Sequence, residues 1–196
     1  MKKIVVFASG SGSNFQAIAE SLDTSQCEIS LLVCDRPGAY CLERAASLNI
    51  PTFVFNPKEY ENKEEFEKQI CQQLAPINPD LIVLAGYMRI IGPTLLSEYE
   101  GRIINIHPAL LPAFPGRDGI KDALKYGVKV LGVTIHYIDS GIDTGQIIDQ
   151  VAFKRSGLET KEEIEQKIHT LEHELYPKVI KQLLNIKEDY YFFHTS

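Results

Sequence analysis

Short apolar runs alternate with amphipathic stretches over the first two thirds of the chain. The apolar runs are rich in β-branched residues and predict strands, at residues 4–8, 29–34, 52–55, 81–85 and 103–106. The stretches between them carry apolar residues at helical spacing and predict helices, at residues 13–22, 40–48, 58–74 and a short one from about Pro93. This alternation indicates an α/β fold with a single open, mostly parallel twisted sheet and helices on both faces.

The pattern changes after about residue 128. Residues 130–137 and 146–153 predict two longer strands, and the turn-rich segment 139–145 separates them, so we expect an antiparallel strand in this part of the sheet. The final helix, at about 160–184, opens with Thr160 and carries Glu163 three residues later, which is a capping box. With no repeat and no linker in view, residues 1–196 are expected to form one domain.

Composition and charge narrow the class of protein. Of the residues, 44% are hydrophobic, and no run of about 18 apolar residues predicts a membrane span. The apolar run after Met1, Lys2 and Lys3 is too short for a signal peptide, so we expect a cytoplasmic protein. A formal charge of −6 argues against a nucleic-acid partner. The four cysteines form no C-x-x-C pair and are expected to be reduced thiols.

A glycine- and serine-rich turn follows the first strand. Residues 9–14 open the first helix, where free backbone amides and the helix dipole favour phosphate. The dinucleotide pattern G-x-G-x-x-G has Phe15 at its third glycine position, so a tight strand-to-helix turn is the alternative. Asp35 at the end of the second strand would suit the ribose of NAD, but Asp35-Arg36-Pro37-Gly38 is equally typical of a turn.

Asn105 and His107 lie two residues apart at the end of a strand, so their side chains point the same way. An amide and an imidazole there would polarise a carbonyl and move a proton. The alternative is a structural histidine in the core that hydrogen-bonds Asn105. Asp143, with Asp139 nearby, lies in the later turn and would stabilise protonated His107 if the fold brings them together, although both are also ordinary turn residues.

His169 and His173 lie four residues apart on the final helix. Their spacing would allow a shared metal, but Glu172 does not stand where H-E-x-x-H requires its glutamate, and the sequence offers no evident third ligand. We therefore expect no metal, and a helix surface that faces solvent or substrate.

The chain resembles the folate-dependent formyltransferases, and within them the phosphoribosylglycinamide formyltransferase family of purine synthesis. The Asn-x-His-Pro-x-Leu-Leu-Pro segment is typical of the wider group, and the Gly-Ser-Asn turn of the narrower family. The residues that carry the resemblance span nearly the whole chain, at 5–18, 84–90, 105–112, 142–145 and 172–177.

The resemblance implies specific site residues. A catalytic trio falls on Asn105, His107 and Asp143. The phosphorylated substrate would contact Gly12, Ser13, Asn14, Gly86, His169 and Glu172. The folate would contact Lys63, Met88, Arg89, Ile90, Ile91, Asn105, Asp139, Ser140, Gly141, Ile142 and Asp143, largely through backbone groups. Two positions differ from the family pattern: His169 stands where some members carry a glutamine, and Asp35-Arg36-Pro37 replaces the more usual turn of the Ser-Asn-Lys type.

The resemblance also implies the reaction. The formyl group of 10-formyltetrahydrofolate, a cosubstrate, would pass directly to the amine of N1-(5-phosphoribosyl)glycinamide. Asn105 and protonated His107 would stabilise the tetrahedral intermediate, and Asp143 would keep His107 charged. The implied partners are these small molecules, with no metal, and the enzyme would be a monomer or weak homodimer.

Four other functions remain alternatives. A methionyl-tRNA formyltransferase has a further C-terminal domain and a formyltetrahydrofolate deformylase a further N-terminal one, and the length of 196 residues disfavours both. An NAD-dependent oxidoreductase would use Gly10, Gly12 and Asp35. A nucleotide-binding module without chemistry would keep the sheet but would not need the trio.

Overall fold

A computed structural model describes residues 1–187 and contains, in that range, a seven-stranded sheet of order β3-β2-β1-β4-β5-β6-β7. The strands are β1 Lys2–Ala8, β2 Cys27–Cys34, β3 Thr52–Val54, β4 Leu81–Leu84, β5 Ile103–His107, β6 Val130–Tyr137 and β7 Ile147–Lys154. Strands β1 to β5 pair in parallel, whereas β6 is antiparallel to both β5 and β7. The predicted mostly parallel sheet with antiparallel pairing near its C-terminal part is confirmed.

Helices cover both faces of the sheet and build two hydrophobic clusters. The helices are α1 Ser13–Ser21, α2 Tyr40–Ser47, α3 Lys63–Leu74, α4 Pro93–Glu98, α5 Gly119–Tyr126 and α6 Lys161–Leu183. One cluster joins α1, α2, α5 and α6 to one face, with Phe15 and Ile18 fully buried in it. The other joins α3 and α4 to the opposite face through Phe66, Ile70 and Leu95. Successive side chains of a strand therefore pack alternately against the two layers of helices, as Val6 and Phe7 of β1 do.

Two helices differ from the sequence prediction. The helix expected at 58–74 begins at Lys63, because the side chain of Asn62 accepts the Glu65 amide and caps a new start. Before it, Pro57–Glu59 forms a separate 3-10 turn. Helix α5 was not predicted at all, since it follows directly on a proline-rich loop. The capping box of the final helix is confirmed, with Thr160 and Glu163 each accepting the other's backbone amide.

Tyr176 ties α6 to the centre of the sheet. Its fully buried hydroxyl lies 2.8 Å from the carbonyl of Leu84 and 3.2 Å from that of Ile104, and so bridges β4 and β5. A buried hydroxyl needs such partners to offset the loss of water. The contact fixes where α6 crosses the sheet, and with it the positions of His169 and Glu172 at the carboxyl ends of the strands.

The membrane, cysteine and domain predictions can each be compared with the structure. None of the helices within residues 1–187 is long and apolar enough to cross a membrane. Cys27, Cys34, Cys41 and Cys71 are all free thiols. The prediction of a single domain over residues 1–196 includes residues 188–196, which lie outside the described residues.

Candidate active site

A cleft of about 860 Å³ opens at the carboxyl ends of β1, β4 and β5, where the strand order reverses. Ligands in open α/β sheets bind at this position. Ser140 is the one predicted site residue that does not line it. The others that line it are Gly12, Ser13, Asn14, Lys63, Gly86, Met88, Arg89, Ile90, Ile91, Asn105, His107, Asp139, Gly141, Ile142, Asp143, His169 and Glu172.

The turn after β1 presents the N-terminus of α1 to one end of the cleft. Gly12 has φ +73°, and a Cβ there would stand 2.6 Å from Cβ of Cys41, so the position requires glycine. No side chain caps the helix and its first turn has no acidic residue, which leaves the first amides free for a ligand. Phe15 packs in the core. The turn is therefore suited to an anion such as phosphate.

Three polar side chains meet beside this turn. The amide nitrogen of Asn14 lies 3.1 Å from Oε2 of Glu172, and Nδ1 of His169 lies 3.2 Å from the same oxygen. The hydrogen bond to Glu172 raises the pKa of His169, against an opposing effect of burial. Glu172 is buried, and the buried Oδ1 of Asn14 has no hydrogen-bond partner among the described residues. The cluster offers a carboxylate and an acceptor to a cationic or amine group.

His107 lies at the end of β5, almost fully buried between two acceptors. Its Nε2 is 2.7 Å from the carbonyl oxygen of Phe114, and its Nδ1 is 3.6 Å from Oδ2 of Asp143. A carbonyl oxygen only accepts hydrogen bonds, so Nε2 donates to Phe114, whereas the Asp143 carboxylate lies just beyond hydrogen-bond distance of Nδ1. Phe114 and Gly119 enclose the Nε2 edge. The Nδ1 edge, beside Asp143, is therefore the one oriented for chemistry.

Asp143 connects the turn after β6 with the loop after β5. Its backbone is left-handed, with φ +53°, a conformation that Asp tolerates better than most residues. Its Oδ2 accepts the amide of Gly116 at 2.7 Å. The neighbouring Asp139 accepts the hydroxyl of Thr144 at 2.6 Å and the amide of Gly141 at 2.9 Å, and these bonds lower its pKa and hold the turn. The fold thus brings Asp143 beside His107, which the sequence alone left open.

The loop that follows His107 is fixed from the side of the antiparallel strands. The buried hydroxyl of Thr134 donates to the carbonyl of Ala109 at 2.7 Å and accepts the amide of Leu111 at 3.1 Å. Gln150 on β7 donates to the carbonyl of Leu111 at 2.9 Å. The loop after His107 is therefore held in place by β6 and β7.

An irregular segment, residues 88–91, forms the opposite wall of the cleft. Met88 and Ile90 are exposed, whereas Ile91 is buried. Nζ of Lys63 donates to the carbonyl of Ile90 at 2.9 Å. Within residues 1–187, neither the N–H nor the C=O of Ile91 takes part in a hydrogen bond. The wall thus combines apolar side chains with a free main-chain donor and acceptor.

Asp35 pairs with this wall. Its Oδ2 accepts from Nε of Arg89 at 2.7 Å, and the Asp35 side chain is largely buried. The carboxylate that a ribose of NAD would need is therefore already bound to an arginine.

Comparison with known proteins agrees with this geometry. A family model described as formyl transferase matches residues 2–180. A phosphoribosylglycinamide formyltransferase of Bacillus subtilis is 56% identical over 188 residues, which cover 95% of this chain and 96% of that protein. The chain belongs to the formyl transferase family.

Solved structures support the same assignment. A glycinamide ribonucleotide transformylase 1 from Geobacillus kaustophilus has 54% identity and a TM-score of 0.90, covering 94% of this chain and 99% of that chain. A phosphoribosylglycinamide formyltransferase from Bacillus halodurans has 50% identity and a TM-score of 0.90, covering 97% and 100%. The formyl transferase fold expected from the sequence is thus confirmed.

His136 lies directly beside this candidate site, and the sequence analysis missed it. Its ring is fully buried, with Nδ1 2.9 Å from the carbonyl of Tyr137, and its Nε2 lies 3.4 Å from the amide nitrogen of Asn105 and 3.5 Å from Oδ1 of Asp143. The sequence does show a histidine in the strand that follows the Asn105 strand. Predicting that His136 contacts Asn105 would have required the antiparallel register that pairs the two residues.

The two histidines of α6 do not act together in this formyl transferase. His169 binds Glu172, whereas Nε2 of His173 is buried without a partner among the described residues, and burial lowers the pKa of His173. Residues 1–187 contain no group of three or more His, Cys, Asp or Glu placed to hold a metal ion.

Proposed function

We propose that this enzyme transfers the formyl group of 10-formyltetrahydrofolate to the amine of N1-(5-phosphoribosyl)glycinamide, giving formylglycinamide ribonucleotide and tetrahydrofolate. The observation that carries the proposal is the convergence of Asn105, His107 and Asp143 in the cleft, between an anion-binding turn and a wall with free main-chain groups. The names of its Bacillus relatives support the same acceptor.

The phosphorylated substrate would bind at the α1 end of the cleft. Its phosphate would accept hydrogen bonds from the amides of Gly12, Ser13 and Asn14, where the helix dipole favours negative charge. Its amine would lie near Glu172, whose carboxylate Asn14 already contacts. Gly86 and His169 line the same end and would complete the subsite.

The folate would bind along the opposite wall. A pterin carries adjacent hydrogen-bond donors and acceptors, which match the free N–H and C=O of Ile91, and its ring would pack against Met88 and Ile90. The turn with Gly141, Ile142 and Asp143 faces the same space. A cleft of about 860 Å³ suits a ligand of this size. These residues therefore fit the proposed donor.

The trio would supply the chemistry of direct transfer. The substrate amine attacks the formyl carbon, and the carbonyl oxygen becomes an oxyanion that accepts from Nδ2 of Asn105 and is stabilised by the positive charge of protonated His107. Asp143 stabilises the imidazolium and orders a water that carries away the proton of the amine. The carbon–nitrogen bond to the folate then breaks, and the folate nitrogen takes a proton. Each fixed donor would lower the barrier by a few kcal/mol.

A formyl-transfer assay tests this proposal. Purified enzyme is mixed with 10-formyl-5,8-dideazafolate and the ribonucleotide, and dideazafolate release is followed by absorbance. Turnover that needs the ribonucleotide and disappears in His107→Ala supports the proposal. Release of formate without the ribonucleotide would point to a deformylase, and an inactive protein whose melting temperature rises with NAD would point to an oxidoreductase. His173→Ala, on α6 and outside the residues that line the cleft, is the matched control.

The remaining expectations belong to the same proposal. We place the reaction in the cytoplasm, with the 196 residues acting as one domain in a monomer or weak homodimer. Size-exclusion chromatography with light scattering checks the oligomeric state.

A further inference from the structure

The wall of the cleft at residues 88–92 is attached to one turn of α3 by two charged side chains. Lys63 and Glu67 lie four residues apart and so share a face of that helix. Nζ of Lys63 donates to the carbonyl of Ile90 at 2.9 Å, and Oε2 of Glu67 accepts the amide of Gly92 at 2.8 Å. These two bonds hold the main chain on either side of Ile91.

Glu67 is the unusual member of this pair. A carboxyl-bearing side chain is seldom so buried, yet Glu67 is only 2% exposed, and within residues 1–187 its Oε1 has no hydrogen-bond partner. Burial raises the pKa of Glu67, against the opposing effects of the backbone amides of Gly92 and Leu95 and of the Lys63 charge. The cost of burying this group indicates that its contact with Gly92 serves more than packing, because an apolar residue would fill the space at lower cost.

Gly92 completes the contact. A Cβ at this position would overlap the Glu67 carboxylate and approach the Lys63 side chain. Glycine therefore lets the main chain come close enough for its amide to reach a carboxylate inside the protein. Glu67, Lys63 and Gly92 fit one another as a unit.

We propose that Glu67 is a positioning residue for the formyl donor: by holding the Gly92 amide, it fixes the free N–H and C=O of Ile91 towards the cleft. It acts through residues 90–92 and does not touch the donor. This inference rests on the proposed function, because the donor is the proposed folate. A fixed donor and acceptor bind without the cost of ordering the main chain.

A pair of substitutions of equal length separates this role from packing. Glu67→Met fills the space but removes the acceptor, so we expect the KM for 10-formyl-5,8-dideazafolate to rise about 10-fold, as for one lost hydrogen bond. The KM for the ribonucleotide should stay within about twofold, because its subsite lies at the α1 end. Glu67→Gln keeps an acceptor oxygen and should restore the donor KM.

Ile70→Val is the matched control for stability. Ile70 is fully buried on the same helix and belongs to the same core cluster as Ile91, but its apolar side chain makes no hydrogen bond to residues 90–92. This variant therefore loses stability while it keeps the hydrogen bond between Glu67 and Gly92. If Glu67→Met raises both KM values alike, or changes neither, the positioning role is overturned. The same holds if Ile70→Val raises the donor KM as much as Glu67→Met does.

Hydrogen–deuterium exchange without any ligand keeps this inference separate from the proposed function. Glu67→Met should speed exchange at the amide of Gly92, which loses its acceptor, whereas Glu67→Gln and Ile70→Val should not. Unchanged exchange in Glu67→Met would show that Glu67 does not hold the main chain at residues 90–92. If the unsubstituted enzyme fails to bind the dideazafolate, the proposed donor is overturned, and with it the ligand that Glu67 is said to serve.

Discussion

Asn105 and His136 face each other across β5 and β6, with the amide nitrogen of Asn105 3.4 Å from Nε2 of His136. Nδ1 of His136 lies 2.9 Å from the carbonyl oxygen of Tyr137, which only accepts hydrogen bonds, so Nδ1 donates to it and the ring is held in place. The other ring nitrogen, Nε2, lies against the amide nitrogen of Asn105. His136 therefore helps to hold the orientation of the Asn105 amide at the cleft.

His136→Leu should reduce kcat by about 10-fold, because the freed Asn105 amide would lose its fixed orientation at a cost near one hydrogen bond. Both KM values should change little, since His136 does not line the cleft. His136→Gln offers an acceptor oxygen and should recover part of the loss. Steady-state kinetics with both substrates checks this. A kcat for His136→Leu equal to that of the unsubstituted enzyme would show that Asn105 is oriented by other contacts.

Asp143→Asn should reduce kcat by about 100-fold or more while the fold survives. Asparagine tolerates the left-handed backbone at φ +53° and still accepts the Gly116 amide, but it lacks the charge by which Asp143 would stabilise protonated His107 in the proposed reaction. Kinetics and a thermal melt are measured together. A fall in kcat that only accompanies a large fall in melting temperature would assign Asp143 to structure, and near-normal turnover would refute its role.

The sequence predicted the parts of the site that depend on local spacing. Strand periodicity placed Asn105 and His107 on one side, and the glycine turn placed free amides after β1. It did not predict contacts between distant residues: Asn14 meets Glu172 across 158 positions, and His136 meets Asn105 only through antiparallel pairing. The start of α3 was missed because Asn62 caps a helix that the apolar pattern alone extended to residue 58. The local sequence pattern determines which side of a strand or helix a residue lies on and where turns occur. Which of these surfaces contact one another depends on the tertiary structure.

Asn14→Ala should raise the KM for the ribonucleotide about 10-fold and leave the KM for the folate unchanged. The amide of Asn14 donates to Glu172, and its buried Oδ1 has no partner among the described residues. The substitution therefore removes contacts only at the end of the cleft where the ribonucleotide would bind. Gln16→Ala, in the same helix but with a side chain that hydrogen-bonds Glu20 and does not line the cleft, serves as the control. A selective loss of folate affinity would instead reverse the assignment of the two ends of the cleft.

Tyr176→Phe should lower the free energy of unfolding by about 1 kcal/mol, because it leaves two buried carbonyls, of Leu84 and Ile104, without their shared donor. Urea unfolding followed by circular dichroism measures the change. We expect the slope of the transition to stay the same, since the surface exposed on unfolding is unaltered. An unchanged midpoint would mean that the hydroxyl does not stabilise the crossing of α6 over the sheet.

His169 should make the stability of the enzyme depend on pH near neutrality. Its hydrogen bond with Glu172 raises its pKa above the ordinary value of 6.5, so the folded state binds the proton more tightly than the unfolded state does. The stabilisation is fully present below the unfolded pKa and is lost as the pH rises through the raised folded pKa. The His169 side chain is 54% exposed, so solvent screens the effect and keeps it small.

The test compares the unsubstituted enzyme with His169→Asn, which keeps a donor for Glu172 but does not titrate. We expect the difference in melting temperature to be larger at about pH 6 than at about pH 9, with the unsubstituted enzyme the more stable at the lower pH. High salt should reduce the difference, because the His169 side chain is half exposed. A difference that is the same at both pH values, or that grows with pH, would show that His169 and Glu172 do not form this pair in solution.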